Sequence, residues 1–234
     1  MNIQGSTALV TGANRGLGLA FAQALLAAGA KVYAAARDPS KVTLPGVHPI
    51  RLDITNEDEV RAAARACGDV NLLVNNAGIA RPSAFLGADA LAATREQFDT
   101  NVFGTLAMAR AFAPVLQANG GGALVNMLSA LSWVNMSALD GYCASKAAAW
   151  SVTNGLRNEL RAQGTLVVGV HAAFIDTDMA RHVDLPKTSP SDVAQQVLQA
   201  LAAGREEVFA DTISRQLKAG LSADAGVYLR EAGR

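Results

Sequence analysis

Cysteine is nearly missing from this chain: Cys67 and Cys143 are the only two in 234 residues. Two thiols so far apart make neither a disulfide framework nor a zinc site, and a reducing, cytoplasmic setting is expected. Histidine is as scarce. His48, His171 and His182 show no metal-ligand spacing, so they read as structural or surface residues and no metal is expected. Charge of neither sign is in excess, with 20 Lys plus Arg against 20 Asp plus Glu. That balance offers nothing to a nucleic-acid backbone or an anionic membrane. No apolar run reaches the ~18 residues of a membrane span. The opening Met1-Asn-Ile-Gln-Gly-Ser-Thr7 is too short and polar to read as a signal peptide. What is present is apolar: half the chain is hydrophobic and 17% is charged, enough for a sizeable core.

The apolar residues come in short runs separated by helical stretches. Strands are expected at Thr7–Thr11, Lys31–Ala36, His48–Leu52, Asn71–Asn75, Ala123–Leu128, Thr165–His171 and Glu207–Phe209. Helices are expected from Leu19 to a cap at Gly29, from Asn56, from about Ala88 to Gln117, from about Gly141 to Ala162, and from Ser189. The strands are continuous apolar runs rather than alternating ones, and they alternate with helices. This pattern describes a parallel sheet covered on both faces. No repeat or linker interrupts it. One domain over residues 1–234 is therefore expected: a doubly wound, Rossmann-type α/β fold of about seven strands with helices on both faces. Ligands in such folds sit at the carboxyl ends of the strands.

Three glycines, Gly12, Gly16 and Gly18, separate the first strand from the first helix. Glycines there allow a tight turn and let backbone approach a pyrophosphate resting on the helix N-terminus. The spacing is G-x-x-x-G-x-G, which is neither the general dinucleotide fingerprint nor a P-loop. At the end of the second strand, folds that prefer NAD carry an acid for the ribose 2′-hydroxyl. Here Ala36 takes that place and Arg37 follows; Arg15 lies within the glycine loop. Two guanidiniums suit the dianionic 2′-phosphate of NADP, because arginine meets phosphate with a planar fork of donors. Asp38, the one acid nearby, reads as part of the following turn.

The second concentration of chemistry is Tyr142-Cys-Ala-Ser-Lys146. On a helix, residues four apart share a face. A cation beside a phenol favours the phenolate and lowers its pKa toward the working range. Ser129 stands thirteen residues before Tyr142, just past the apolar run that ends at Leu128. A hydroxyl at a strand end is well placed to hydrogen-bond a substrate oxygen.

Taken together, these motifs resemble the short-chain dehydrogenase/reductases from Thr7 to about Phe209. The stretch Thr11-Gly12-Ala-Asn14-Arg15-Gly16-Leu17-Gly18 is similar to that family's coenzyme loop. Asp53, with Ile54 beside it, resembles the acid that contacts the adenine ring. The run Asn75-Asn-Ala77-Gly78 resembles the motif that steadies the fourth strand and meets the adenosine ribose. Asn101, Ser129, Tyr142 and Lys146 match the catalytic tetrad in order and spacing. The resemblance implies reversible hydride transfer between NADP(H) and a carbonyl/alcohol pair. Tyr142 would exchange the proton, Lys146 would lower its pKa and hold the nicotinamide ribose, Ser129 would bind the substrate oxygen, and Asn101 would hold a water for proton resupply. Ile175 and Thr177 match the positions that hold the carboxamide. The chain departs from the family at Ala172-Ala173, where Pro-Gly is usual, in a short lid at about Met179–Thr188, and in lacking an Asp-Gly-Gly ending.

On the substrate side, Leu131, Trp133, Met136 and Leu139 come from the loop between Ser129 and Tyr142, and Phe174 and Met179 from across the crevice. No cation lies in either stretch before Arg181, so an apolar ketone or aldehyde is expected rather than a charged acid. Cys143 reads as a packing residue. The alanines around Lys146, with Trp150 and Leu156, leave that helix more apolar surface than one stripe requires, and a homodimer or homotetramer is expected. The rival reading is a non-catalytic NADP-binding sensor on the same fold. Such a protein does not need the intact tetrad found here. A dehydratase or epimerase would want a C-terminal substrate domain that this chain lacks, and nothing specific supports a scaffold.

Overall fold

The computed structural model describes residues 1–229, so residues 230–234 of the expected single domain lie outside the described residues. Seven strands form one parallel sheet: β1 (Thr7–Thr11), β2 (Lys31–Ala36), β3 (His48–Arg51), β4 (Leu72–Asn75), β5 (Ala123–Met127), β6 (Leu166–His171) and β7 (Glu207–Phe209). Their order is β3-β2-β1-β4-β5-β6-β7. The order reverses between β1 and β4, and there the connections leave to opposite sides and open a crevice.

Alternation along each strand divides the core in two. In β1, Ala8 and Val10 face α1 (Gly16–Ala27) and α6 (Pro190–Ala202), joining Phe21, Leu25, Val193, Val197 and Leu201. Leu9 faces the other way. It meets α2 (Glu57–Ala66), α4 (Thr105–Ala118) and α5 (Asp140–Leu160) through Val60, Met108, Phe112, Leu116 and Leu156. Both faces of the central strands are thus apolar, which is why the strands read as unbroken hydrophobic runs. Each fully buried phenylalanine, Phe21 and Phe112, contributes roughly 1.5–3 kcal/mol.

Most expected elements appear within a few residues of their expected ends, with three differences. First, α1 starts at Gly16 rather than Leu19, so the last two glycines of the loop already belong to the helix. Second, the stretch expected as one helix to Gln117 consists of α3 (Ala90–Phe98) and α4 joined by a π-helical segment, Asp99–Gly104. Apolar periodicity hardly distinguishes a π turn from an α turn, since both keep one face covered. Third, α7 (Thr212–Gly220) follows β7 where no helix was expected; Asp211 caps it by accepting from the Ser214 N–H. Among the described residues no helix is long and apolar enough to cross a membrane.

Behind the sheet's carboxyl edge lies an aromatic cluster. His171, the last residue of β6, stacks on Trp133 at 4.0 Å between ring centres, with Phe209 5.8 Å away. Its Nδ1 lies 3.0 Å from the Ser129 carbonyl oxygen, to which it donates as the neutral tautomer. Burial pushes the His171 pKa down to about 4; the Ser129 carbonyl opposes this, and the cations Lys218, Arg157 and Lys146 add to it. The folded chain therefore binds fewer protons than the unfolded chain between the two pKa values. Stability present above pH 6.5 is lost as pH falls toward 4, by about 3 kcal/mol for this one group. Urea unfolding at a series of pH values should show that slope, and His171→Gln should flatten it. An identical slope in the variant would remove His171 as its source.

Candidate active site

The polar chemistry collects at the crevice. After Thr11 the chain turns through Gly12, whose φ of 66° is the left-handed conformation that suits glycine. A Cβ at Gly18 would collide with the Gly12 carbonyl oxygen, so the turn also needs glycine where it folds back on itself. Arg15 occupies the N-cap of α1 with extended backbone and no side-chain cap, which leaves the first N–H groups of the helix unspent. A helix end in that state is suited to a phosphate. The loop is tied to the far side of the crevice by the Thr11 hydroxyl, which accepts from the N–H groups of Asn76 (3.0 Å) and Ala77 (2.9 Å). The Asn76 amide donates back to the Thr11 carbonyl at 2.9 Å.

A single open cavity of about 1390 Å³ runs from this loop along the strand ends. That exceeds an ordinary small-ligand pocket and leaves room for a dinucleotide beside a substrate. Gly12, Asn14, Arg15, Gly16, Leu17 and Gly18 line it, as do Arg37, Asp53, Ile54, Ala77, Gly78, Ile175 and Thr177. At the β2 end the lining is Ala36, Arg37, Asp38 and Lys41, with no acid in the Ala36 position. Asp38 serves its turn, accepting from the Ser40 N–H and hydroxyl. Burial pushes the Asp53 carboxyl up, but bonds from the Thr55 N–H and hydroxyl outweigh it and leave the pKa below the usual range.

Ser129, Tyr142 and Lys146 meet at the other end of the cavity. Ser129 caps a short 3-10 turn, Ala130–Ser132, its hydroxyl accepting from the Leu131 N–H at 3.0 Å. Tyr142 and Lys146 project from the first turns of α5, and the Lys146 ammonium lies 5.7 Å from the Tyr142 ring centre. Lys146 is buried, and its Nζ donates to the Met127 carbonyl at 2.8 Å. Burial lowers its pKa to about 8. The Tyr142 phenol is pushed the other way, up to about 12, by burial, with a hydrogen bond to the Ser129 hydroxyl pulling down. In the protein without its nicotinamide, desolvation therefore dominates the Tyr142 phenol. At neutral pH the site presents a protonated phenol beside a charged, buried amine.

Four residues expected at the site lie off the cavity lining. Asn75 does not reach the cavity; it is buried at the end of β4, where its amide donates to Asn126 at 3.0 Å, and Asn76 lines the crevice instead. Asn101 does not line it either. Its side chain is saturated, accepting from the Ile79 N–H and donating to the Ile79 carbonyl, both at 2.9 Å, and to Ser145 Oγ at 3.0 Å. It holds the Gly78–Ile79 backbone beside Lys146. Trp133 is turned away behind Ser129 into the aromatic cluster, its ring edge-on to Trp150 at 6.1 Å. Met136 also lies off the lining, its N–H directed at Cys143 Sγ, whereas Leu131, Leu139, Phe174 and Met179 do line the cavity. Arg15 lines the cavity as expected, and its exposed guanidinium also pairs with Asp178, Nη1 standing 2.8 Å from Oδ2, while Asp178 pairs with Arg181 as well.

Lys41, Ile79, Pro82, His182 and Val183 line the cavity without having been singled out from sequence. Lys41 had a readable signal. Asp38-Pro39-Ser40 is a turn opener, and the turn it starts, Pro39–Lys41, folds Lys41 back so that Nζ lies 3.8 Å from the Asp38 carboxylate at the cavity lining. Val183 and His182 follow Met179 by about one turn of the lid.

Comparison with known proteins agrees with this geometry. A family model described as short chain dehydrogenase matches residues 6–187. The chain is 32% identical over 215 residues to an uncharacterised oxidoreductase of Staphylococcus haemolyticus, covering 85% of this chain and 92% of that protein. It is 35% identical over 187 residues to D-erythrulose reductase of Gallus gallus, covering 77% and 76%. Among solved structures it is similar to a short chain dehydrogenase from Burkholderia cenocepacia in complex with NADP, with a TM-score of 0.92, 42% identity, and coverage of 96% of this chain and 95% of that one. A second, from Burkholderia phymatum in complex with NAD, has a TM-score of 0.84 at 25% identity, with coverage of 94% and 95%. With the nucleotide-shaped crevice at one end and the serine, tyrosine and lysine at the other, this chain belongs to the short-chain dehydrogenase family of oxidoreductases.

Proposed function

We propose that the protein is an NADP(H)-dependent oxidoreductase that interconverts an apolar ketone or aldehyde with the corresponding alcohol, acting in the cytoplasm. The observation that carries this reading is one cavity with Tyr142, Ser129 and Lys146 at one end and Arg37 and Lys41 at the other. The unspent N–H groups of α1 and the glycine turn fit a pyrophosphate. Arg37 and Lys41, with Ala36 where an acid would repel, fit a 2′-phosphate. The cofactor preference agrees with the NADP bound to the relative at 42% identity. Leu131, Leu139, Phe174, Met179 and Val183 give the cavity apolar lining.

Bound in this crevice, the nicotinamide supplies or accepts the hydride. The chain's own residues manage the oxygen and its proton. Ser129 donates its hydroxyl hydrogen to the substrate oxygen and stabilises the charge that develops there. Tyr142 gives its phenol proton to that oxygen in reduction, and its phenolate takes the proton back in oxidation. The Lys146 ammonium, anchored by the Met127 carbonyl, stabilises the phenolate while it exists.

Three measurements test this. Tyr142→Phe should reduce NADPH-dependent carbonyl reduction at least about 10³-fold while NADPH still binds; near-normal turnover would remove Tyr142 from the reaction. Arg37→Asp should move the kcat/KM ratio toward NADH by about 10²-fold or more, since it replaces a phosphate partner with a repelling charge. An unchanged ratio would refute the 2′-phosphate assignment. Finally, kcat/KM for reduction should be level below about pH 8 and fall above it, as Lys146 loses its charge. A profile level to about pH 10, the range of an unperturbed lysine, would show that this charge is not required.

A further inference from the structure

Beyond β6 the chain enters the loop that carries Ile175 and Thr177, and the ladder between β6 and β7 ends there in an unusual way. The register pairs Gly169 with Glu207, Val170 with Val208 and His171 with Phe209. The rungs run from the Gly169 N–H to the Glu206 carbonyl and from the Ala210 N–H to the His171 carbonyl, both at 2.9 Å. The next rung of a parallel ladder would join the Ala173 N–H to the Ala210 carbonyl. That carbonyl instead accepts from the Gln196 amide at 3.0 Å. The Ala173 N–H donates to Asp211 Oδ2 at 2.7 Å. A side-chain carboxylate has taken over one rung of the sheet at the point where β7 bends away into α7.

The other oxygen of the same carboxylate, Oδ1, accepts from the Ser214 N–H at 2.7 Å and the Ser214 hydroxyl at 3.0 Å. Ser214 is fully buried, so one half of Asp211 is anchored to the first turn of α7. The adjoining residue Ala172 is held from the other side, its carbonyl accepting from the Ala130 N–H at 2.9 Å. Farther along, Phe174 and Asp176 bond to the backbone of Thr188 at 2.8 and 3.0 Å. Between these ties, residues 172–175 and Thr177 line the cavity, with Thr177 against Gly16 of the glycine loop. The Ser129 hydroxyl lies 3.5 Å from the Ala172 carbonyl oxygen, so a ring placed to deliver hydride to a carbon whose oxygen Tyr142 and Ser129 hold would lie beside this wall.

We infer that Asp211 is a positioning residue for the nicotinamide half of the cofactor: by holding the Ala173 N–H it sets the backbone against which the ring lies. This inference rests on the NADP(H) reading above. Ala172-Ala173 brings no proline to stiffen the loop by itself, so its conformation is imposed from α7. Asp211 touches neither the phosphate loop nor Arg37, and its effect should be confined to one half of the dinucleotide.

That confinement makes the test. Asp211→Ser keeps a good capping residue for α7, but its single hydroxyl is shorter than the carboxylate and cannot serve both Ser214 and Ala173. Asp211→Asn keeps the shape and one acceptor oxygen. Binding of NADPH by fluorescence, and of 2′,5′-ADP by calorimetry, is measured on the full chain. In Asp211→Ser, NADPH should bind about tenfold more weakly, about 1.4 kcal/mol, while 2′,5′-ADP binds within about twofold of the parent. Asp211→Asn must turn an amide N–H toward either the Ala173 or the Ser214 N–H, so it too should weaken NADPH binding and spare 2′,5′-ADP. Asp211→Thr repeats the measurement should the serine variant prove unstable. Parent-like NADPH binding by the serine or threonine variant overturns the inference, and so does equal weakening of both ligands, which would mark a general structural role. A parent chain that binds neither ligand refutes the cofactor reading itself, and the inference with it.

Discussion

The site depends on how β1 and β4 part company at the switch point. Side by side they are ordinary parallel neighbours, but past Thr11 and Asn75 their chains leave in opposite directions and would expose unpaired backbone to the crevice. The Thr11 hydroxyl closes that gap by accepting from two successive N–H groups, and Asn76 returns a bond to the Thr11 carbonyl. With these bonds the glycine loop and the Ala77-Gly78-Ile79 wall form one rigid lip. Asn101 extends the same lip toward Lys146, clasping the Ile79 backbone with both ends of its amide and donating its second N–H to Ser145 of α5. The two ends of a long cavity are thereby held at a set separation by side-chain amides and one hydroxyl rather than by a hydrophobic contact.

Burial then decides the protonation states. Lys146 sits under the tetrad with the Met127 carbonyl as its hydrogen-bond acceptor, and desolvation brings its pKa down to about 8. Tyr142 is driven up by the same physics. The two shifts are opposite because burial disfavours whichever form is charged: the ammonium in one case, the phenolate in the other. His171, directly behind Ser129, is kept neutral by burial and by the cations around it. A neutral imidazole can hold the Ser129 carbonyl without placing another full charge beside the reacting oxygen.

Where the sequence was misleading, the cause was proximity in the chain being taken for proximity to the cavity. Trp133 and Met136 lie between Ser129 and Tyr142, yet the 3-10 turn that Ser129 caps rotates Trp133 onto His171 and away from the pocket. Asn75 and Asn76 are adjacent and identical; strand alternation sends the first into a buried pair with Asn126 and leaves the second at the lip. Lys41 enters the lining only because the Asp38–Lys41 turn closes and folds it back toward Asp38.

What the amino-acid sequence determined by itself was periodic and local. Continuous apolar strands between helices implied a parallel sheet covered on both faces. Gly12, Gly16 and Gly18 marked a backbone that must come close to something, and Ser129, Tyr142 and Lys146 marked a proton-handling centre. These are legible because helix and strand geometry convert spacing directly into direction. The tertiary structure alone decided which neighbours share a charge or a hydrogen bond: Asp178 with Arg15, Asp211 with Ala173, Asn101 with Ile79, Met127 with Lys146. Apart from Met127 and Lys146 on adjoining elements, these partners come from distant parts of the chain. Only packing the sheet brings them together, and only burial sets the pKa of the groups they hold.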